Sequence, residues 1–266
     1  MRLIVSAASE AWASFKRRVR EEVLISQGVP RLDPSIADPP LSLTSRSDGV
    51  TAVGGDLGTD RLLMAYASGT FPCARAGSPL VWLAPDRRQV VDLSRARLPR
   101  HAIHALVRSR FDVTVDRAFE DVLGASAPET DASFLNAMLR LHRMGHAHSV
   151  ECWSGGRRVA GLHGIALGAA FFTVDLHSFV DGAAEVAAAT LHERLREWGF
   201  SFVDYQTPER HPLQLGQEPW ARTYFLVRVA EAVTLPARRG RWTIDGSSPL
   251  LEVRRAAAGA RLETGA

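Results

Sequence analysis

Two polar residues, Asp204 and Gln206, stand in the otherwise apolar segment FSFVDYQ (200–206). Strand alternation would place both side chains on the face of Phe202 and would turn Val203 and Tyr205 to the opposite face. A carboxylate and an amide at this spacing can balance a positive charge and orient a polar substrate. Two interpretations follow: the strand ends a sheet with its polar face in solvent, or this face lines a cleft where chemistry takes place.

The composition predicts a globular protein with a sizeable core. The 266 residues suffice for one large domain or two small ones, and the hydrophobic fraction of 46% and charged fraction of 23% are ordinary. The first apolar run is too short for a signal peptide, and no run of about 18 apolar residues indicates a membrane span. Cys73 and Cys152 are too few for a disulfide framework, so we expect the cytoplasm.

The positive charge is almost entirely arginine. The formal net charge is +3, and Lys16 is the only lysine. Arginine contacts phosphate with a planar fork of donors, so an RNA partner is permitted. A coding bias toward Arg and Ala is the other explanation.

Hydrophobic periodicity predicts strands followed by a helix and more strands, an arrangement typical of α+β architecture. The expected elements are an amphipathic helix (8–25), an irregular linker (28–50), a helix (59–69), a strand (111–115), a helix (132–144), three strands of a meander (147–153, 157–167, 169–176), a helix (183–198), a strand (200–206), a strand-like segment (221–232) and a tail from 235 that is partly disordered.

A series of short motifs occurs in a fixed order. The series is GGDL (54–57), RLLMAY (61–66), G-x-FP (69–72), W-x-x-PD-x-R (82–88), F-x-VT (111–114), LH-x-x-GHAHSVE-x-W (141–153), VAG-x-x-G (159–164) and D-x-Q-x-x-x-x-H-x-x-x-LG (204–216). Through their order and spacing, the chain resembles the leucyl/phenylalanyl-tRNA–protein transferase family over roughly residues 39–230.

The resemblance implies an α+β fold in four parts. These are an N-terminal extension with the amphipathic helix (1–38), a small N-terminal domain (39–86), a larger N-acetyltransferase-like domain with a mixed sheet (87–232) and a basic tail (233–266). It implies transfer of a hydrophobic, Leu- or Phe-like amino acid from charged tRNA to an amine. It also implies a cytoplasmic enzyme that needs no metal or organic cofactor, and we expect a monomer.

The resemblance gives Asp204 and Gln206 the catalytic roles. An aminoacyl ester is already activated, and the attacking α-amine has a pKa of about 7.7–8.0, so no strong base is required. The Gln206 carbonyl would orient the amine, and Asp204 would offset the charge that develops on it. Positioning of amine against ester then supplies most of the rate, up to roughly 7–11 kcal/mol.

Three further groups of residues match family positions or suit a tRNA substrate. The donor side-chain pocket would be lined by Phe134, Leu162, Phe171, Leu176, Leu191 and Leu195. The exposed arginines that could contact tRNA are Arg75, Arg87 and Arg88. The acceptor side would contain Val174, Asp175 and His177.

The acceptor side departs most from the family pattern. GESMFS is replaced by residues 173–178, so Val174 stands where the family has glutamate. Asp175 is adjacent, but strict alternation would turn it to the other face. His177 could act as a base or fill space. The acceptor is therefore either a protein N-terminus or a small amine of a biosynthetic pathway.

Parts of the sequence also fit other functional classes. His142, His146 and His148 suggest zinc by spacing, but the first lies on a helix and structural hydrogen bonding is favoured, so we expect no metal. RRVAGLHG (157–164) resembles the pyrophosphate loop of acyl-CoA N-acetyltransferases, although a strand-like segment follows it instead of a helix. An acyl-CoA-dependent N-acyltransferase and a noncatalytic tRNA-binding protein are the alternatives.

Overall fold

The computed structural model describes residues 21–35, 46, 48–95, 111–125, 130–207 and 215–244. Most of the predicted amphipathic helix lies outside these ranges. Its last part is helical over Glu21–Ser26, which is helix α1. The other helices within these ranges are α2 (Thr59–Ala67), α3 (Phe119–Ala125), α4 (Ala132–Arg143), α5 (Ala183–Glu197) and α6 (Arg222–Val233). Helices α4 and α5 confirm the predicted helices at 132–144 and 183–198.

None of the helices in the described ranges has the length and apolar character needed to span a bilayer.

A small sheet of four strands forms the N-terminal part of the fold, in the order β1-β2-β4-β3. Its strands are β1 (Arg31–Leu32), β2 (Val50–Gly54), β3 (Phe71–Cys73) and β4 (Val81–Leu83). Strand β1 pairs with β2, so this sheet begins within the segment that the sequence assigned to the extension.

The larger sheet has seven strands in the order β11-β5-β10-β9-β8-β7-β6. Its strands are β5 (Arg87–Asp92), β6 (Asp112–Val115), β7 (Ala147–Ser154), β8 (Arg157–Leu167), β9 (Ala170–Ser178), β10 (Phe202–Asp204) and β11 (Glu218–Ala221). Strands β9 and β10 are parallel, whereas the other pairs are antiparallel. The predicted α+β fold with a mixed sheet is confirmed.

Two apolar clusters cover the two faces of this sheet. The first core cluster includes Phe172 and Phe202 and continues into the small domain and α4. The second core cluster includes Phe171 and Val203 and is covered by α5. Because neighbouring strand residues belong to different clusters, the sheet is buried on both sides. The side to which each β10 residue turns is therefore defined.

The strand-like interpretation of residues 221–232 is wrong. Aromatic and β-branched residues such as Tyr224 and Val229 favour strands, but the segment forms α6. Phe225, Val229 and Ala232 recur at helical spacing and are buried, so packing on the first core cluster decides the structure.

Candidate active site

The candidate site lies where β10 leaves β9. The parallel pairing runs from Phe202 with Ala170 to Asp204 with Phe172. Two residues later, Gln206 has the left-handed φ of 63°, and its backbone oxygen accepts a hydrogen bond from the Gln89 N–H at 3.0 Å. The chain thus turns from β9 toward β5. The ladder between these two parallel strands therefore ends at the predicted catalytic pair.

The Asp204 carboxylate is held by Arg88. Arg88 Nε donates to Asp204 Oδ1 at 3.1 Å, and Nη2 donates to Oδ2, while Nη1 donates to the Gly69 carbonyl at 3.0 Å. The guanidinium lies 4.6 Å from the ring centre of Phe71 and 4.5 Å from that of Phe225. The carboxylate is fully buried, and its charge is balanced by the Arg88 guanidinium, which is held in place by the Gly69 carbonyl.

The Gln206 amide is positioned by the same network. Asp204 Oδ1 accepts the Gln206 backbone N–H at 2.9 Å, which stabilises the turn. Gln206 Nε2 donates to the Thr173 carbonyl at 2.8 Å and so bridges the gap between β10 and β9. The structure therefore brings Asp204 and Gln206 together, through the hydrogen bond from the Gln206 N–H to the Asp204 carboxylate. The fully buried Gln206 side chain has a fixed orientation.

The prediction that Arg88 is exposed is wrong. Its exposed fraction is 1%, because it is enclosed by aromatic rings and bound to Asp204. Arg87, the preceding residue of β5, is exposed, as strand alternation requires. Arg75 is half-buried at the wall of a cavity of about 590 Å³ between the small domain and α4. Asn136 and Arg140 of α4 also line this cavity.

Five of the six predicted pocket residues share one cluster. Leu176 packs against the second core cluster, to which Leu162, Phe171, Leu191 and Leu195 belong. Leu162 and Leu176 are direct cross-strand partners. Phe134 is not with them, since α4 places it in the first core cluster, on the other side of the sheet.

The acceptor-side residues are affected by a β-bulge. His163 pairs with Asp175, but the next residue of β8, Gly164, pairs with Thr173. Val174 is therefore an extra residue on β9, and it packs in the first core cluster. Sequence alternation has no means of showing this insertion.

The bulge turns Asp175 to the face of Asp204. Directly opposite residues of an antiparallel pair point to the same face. His163, the partner of Asp175, lies edge-on to Phe119 of the first core cluster, with 6.1 Å between ring centres. The prediction that Asp175 faces away from Val174 is therefore wrong.

A short network surrounds Asp175. His177 Nδ1 lies 3.5 Å from Asp175 Oδ2, and the other ring nitrogen of His177 contacts Arg158. Because a guanidinium only donates, His177 Nε2 is the acceptor and Nδ1 carries the proton. The Asp175 side chain is 32% exposed, in contrast with the sealed carboxylate of Asp204.

His148 of the GHAHS segment and the preceding His142 make hydrogen bonds within the framework. His148 Nδ1 hydrogen-bonds to Asp116 at 2.8 Å, and burial lowers the pKa of His148 although Asp116 opposes this shift. His142 Nδ1 donates to the Ala147 carbonyl at 2.8 Å. The described ranges hold no group of three His, Cys, Asp or Glu residues placed for a metal ion.

The sequence interpretation missed the role of Arg88 and the contribution of Trp242 to the packing of the larger domain. Arg88 is the arginine of the W-x-x-PD-x-R motif, and its ring partners Phe71 and Phe225 are distant in the chain, so no local signal indicated its burial. Trp242 lies in the tail and is 1% exposed. It stacks on His148 and lies 6.0 Å from Phe171, so the tail up to residue 244 packs against the larger domain. A single tryptophan among arginines gave no clear signal.

Comparison with known proteins gives extensive sequence matches. The profile of the family Leucyl/phenylalanyl-tRNA protein transferase matches residues 90–230, and the profile of its N-terminal domain matches residues 55–86. A leucyl/phenylalanyl-tRNA–protein transferase of Nitratidesulfovibrio vulgaris (strain DP4) is 41% identical over 206 residues, covering 74% of this chain and 88% of that protein. A protein of the same name from Anaeromyxobacter sp. (strain K) is 39% identical over 230 residues, covering 83% and 97%.

Proposed function

Because this chain belongs to the leucyl/phenylalanyl-tRNA–protein transferase family, we propose that the site at Asp204 and Gln206, where β10 leaves β9, joins an amino acid from charged tRNA to an acceptor amine. The chain is an aminoacyltransferase that uses aminoacyl-tRNA. The main support for this location is the hydrogen bond from Gln206 Nε2 to the Thr173 carbonyl, beside the gap between β9 and β10.

The reaction needs little acid–base chemistry. The neutral amine attacks the ester carbonyl carbon, a C–N bond forms, and the C–O bond to the terminal ribose breaks. The amine loses one proton, and the departing ribose oxygen gains one. An aminoacyl ester is activated before it arrives, so no metal or organic cofactor is required for this step. The enzyme's main contribution is to hold amine and ester together.

Gln206 and Asp204 have different roles in this proposal. The Gln206 side chain orients the amine, and its amide nitrogen is already committed to the Thr173 carbonyl. Asp204 is a positioning residue, since both of its oxygens bind Arg88 and one also binds the Gln206 N–H. A carboxylate held in this way supports the turn at Gln206.

The donor side chain is placed on the face of the second core cluster. Leu162, Phe171, Leu176, Leu191 and Leu195 gather there, and their apolar surfaces favour a hydrophobic donor such as Leu or Phe. Phe134 is omitted from this pocket because it lies across the sheet.

The acceptor is placed on the opposite face, at Asp175. The bulge turns this partly exposed carboxylate toward the Gln206 side of the sheet, where it can attract a cationic side chain. His177 lies beside this carboxylate, with 3.5 Å between Nδ1 and Asp175 Oδ2, whereas Val174 packs in the core. We therefore favour the N-terminus of a protein that begins with Arg or Lys over an uncharged small amine.

Arg75 and Arg87 are the proposed contacts for the tRNA acceptor end. Both lie outside the core, and Arg75 borders the cavity beside α4. The cytoplasm is the proposed compartment, because charged tRNA is made and used there. A monomer stays a prediction.

Transfer assays test the proposal. Purified protein is incubated with tRNA charged with labelled Leu or Phe, and label is followed onto an Arg-starting peptide and onto small amines. Gln206→Ala should lower transfer by about 10²-fold, since positioning is lost while the fold is kept. The control is Gln27→Ala, which removes an exposed glutamine of the N-terminal extension. Transfer by Gln206→Ala at the rate of the parent would contradict the assigned role.

A further inference from the structure

Thr173 carries a buried hydroxyl with no hydrogen-bond partner among the described residues. The side chain is fully buried. The other buried threonines are all satisfied, since the hydroxyls of Thr51, Thr70 and Thr190 donate to backbone carbonyls at 3.2, 3.0 and 2.8 Å. An unpaired buried hydroxyl destabilises a fold, and valine would fill the same space without this effect. A ligand that pairs with the hydroxyl would explain why threonine is present.

The hydroxyl lies where the sheet opens. Phe172 is the last residue of β9 that pairs with β10, through Asp204, and Thr173 follows it directly. The Thr173 carbonyl receives the Gln206 amide at 2.8 Å. Thr173 therefore belongs to the same few atoms that position the predicted amine-orienting residue.

The Thr173 side chain points to the donor side of the sheet. Thr173 pairs with Gly164, and a Cβ atom at Gly164 would lie 2.5 Å from the Phe171 ring. The Phe171 ring thus covers the glycine on the face of the second core cluster. Alternation places Thr173 on that face beside Phe171, which is the proposed side of the donor amino acid.

We propose that the Thr173 hydroxyl donates a hydrogen bond to the carbonyl oxygen of the aminoacyl group during transfer. This inference rests on the proposed function. The ester carbon must lie beside Gln206 to meet the amine, which brings its oxygen within reach of β9. That oxygen gains negative charge as the C–N bond forms, so a donor fixed in a buried site stabilises the transition state more than the ground state. The proton stays on the hydroxyl.

The test compares Thr173→Val with Thr173→Ser in the full chain. Transfer of Leu and of Phe to an Arg-starting peptide is measured as kcat and as KM for the charged tRNA. Removal of one such donor typically lowers kcat by about 10²–10³-fold. Thr173→Val should show this loss for both amino acids alike, with KM little changed. Thr173→Ser should retain most of the activity.

A stability measurement separates this role from a structural one. Thr173→Val should have a Tm equal to or above that of the parent, because an unpaired hydroxyl is removed. The control Thr51→Val removes a bonded hydroxyl in the small domain, so it should lower Tm and leave kcat unchanged. If Thr173→Val does not fold, Thr173→Ala against Thr173→Ser gives the same comparison.

Three results would overturn the inference. One is a kcat of Thr173→Val equal to that of the parent, and another is a loss confined to one donor, which would indicate side-chain selection. The third is a lowered Tm with a proportional loss of activity, which would indicate a structural role. A parent protein that transfers no amino acid would instead remove the proposed function, and this inference with it.

Discussion

Replacement of Arg88 by methionine should destabilise the fold by about 3–5 kcal/mol, because the Asp204 carboxylate would stay buried without its charge partner. Arg88 binds both oxygens of Asp204 and the Gly69 carbonyl, and neither charged side chain is more than 1% exposed. Methionine keeps an apolar stem against the rings of Phe71 and Phe225, so the loss is mainly electrostatic.

A double-mutant cycle isolates this interaction. Asp204→Asn alone leaves a buried guanidinium without a counter-charge and should also cost about 3–5 kcal/mol. Arg88→Met with Asp204→Asn removes both charges and leaves no unpaired one, so the double variant should be no less stable than either single variant. The coupling free energy between Arg88 and Asp204 is then at least about 3 kcal/mol.

Urea unfolding followed by tryptophan fluorescence gives the free energies of unfolding. The control is Arg87→Met at the exposed neighbouring position, where the effect should stay within about 0.5 kcal/mol. Additive single effects, or a loss of stability below about 1 kcal/mol for Arg88→Met, would refute the view that Arg88 balances the charge of the buried Asp204 carboxylate.

Three other measurements follow from the structure. Burial lowers the pKa of His192 to about 4. The folded state therefore has its full stability above pH 6.5 and loses about 3 kcal/mol as the pH falls toward 4, because His192 is protonated first in the unfolded chain. His192→Gln should flatten the dependence of the urea midpoint on pH in that window. Asp175→Asn should raise KM for an Arg-starting peptide roughly fivefold, as expected for about 1 kcal/mol of attraction, but not for a citrulline-starting peptide; an unchanged preference for Arg would remove Asp175 from the acceptor site. Arg75→Glu and Arg87→Glu should each reduce the salt dependence of tRNA binding by about 0.7 in logarithmic slope, whereas Arg157→Glu at the exposed first residue of β8 should not.

The sequence pattern was sufficient to predict an element wherever its apolar residues follow one period, either that of a strand or that of a helix. Alternation assigned Asp204 to the face of Phe202, and its partner Arg88 lies against Phe71 and Phe225 of the first core cluster, whereas Val203 and Tyr205 belong to the second. Helix α5 was equally predictable, because its apolar residues recur at helical spacing and are buried against the sheet.

The errors arose where tertiary structure overrides local pattern. The bulge that turns Asp175 depends on a register change between β8 and β9, and a single sequence does not show which residues pair across two strands. Arg88 and Asp204 are 116 residues apart, so their pairing is a consequence of β10 packing beside β5. The resemblance to the family placed Phe134 in the donor pocket, but α4 holds it in the first core cluster, on the opposite face of the sheet.

The Arg88–Asp204 pair also limits the mechanism. Both oxygens of the Asp204 carboxylate are bound by the Arg88 guanidinium, and one of them also accepts the Gln206 backbone N–H, so the carboxylate is committed to holding the turn. The Gln206 amide is not basic. We therefore assign the proton of the amine to the departing ribose oxygen or to solvent, and to neither of these side chains. What the pair supplies is a rigid turn, and the rate must come from the placement of amine and ester at the gap between β9 and β10.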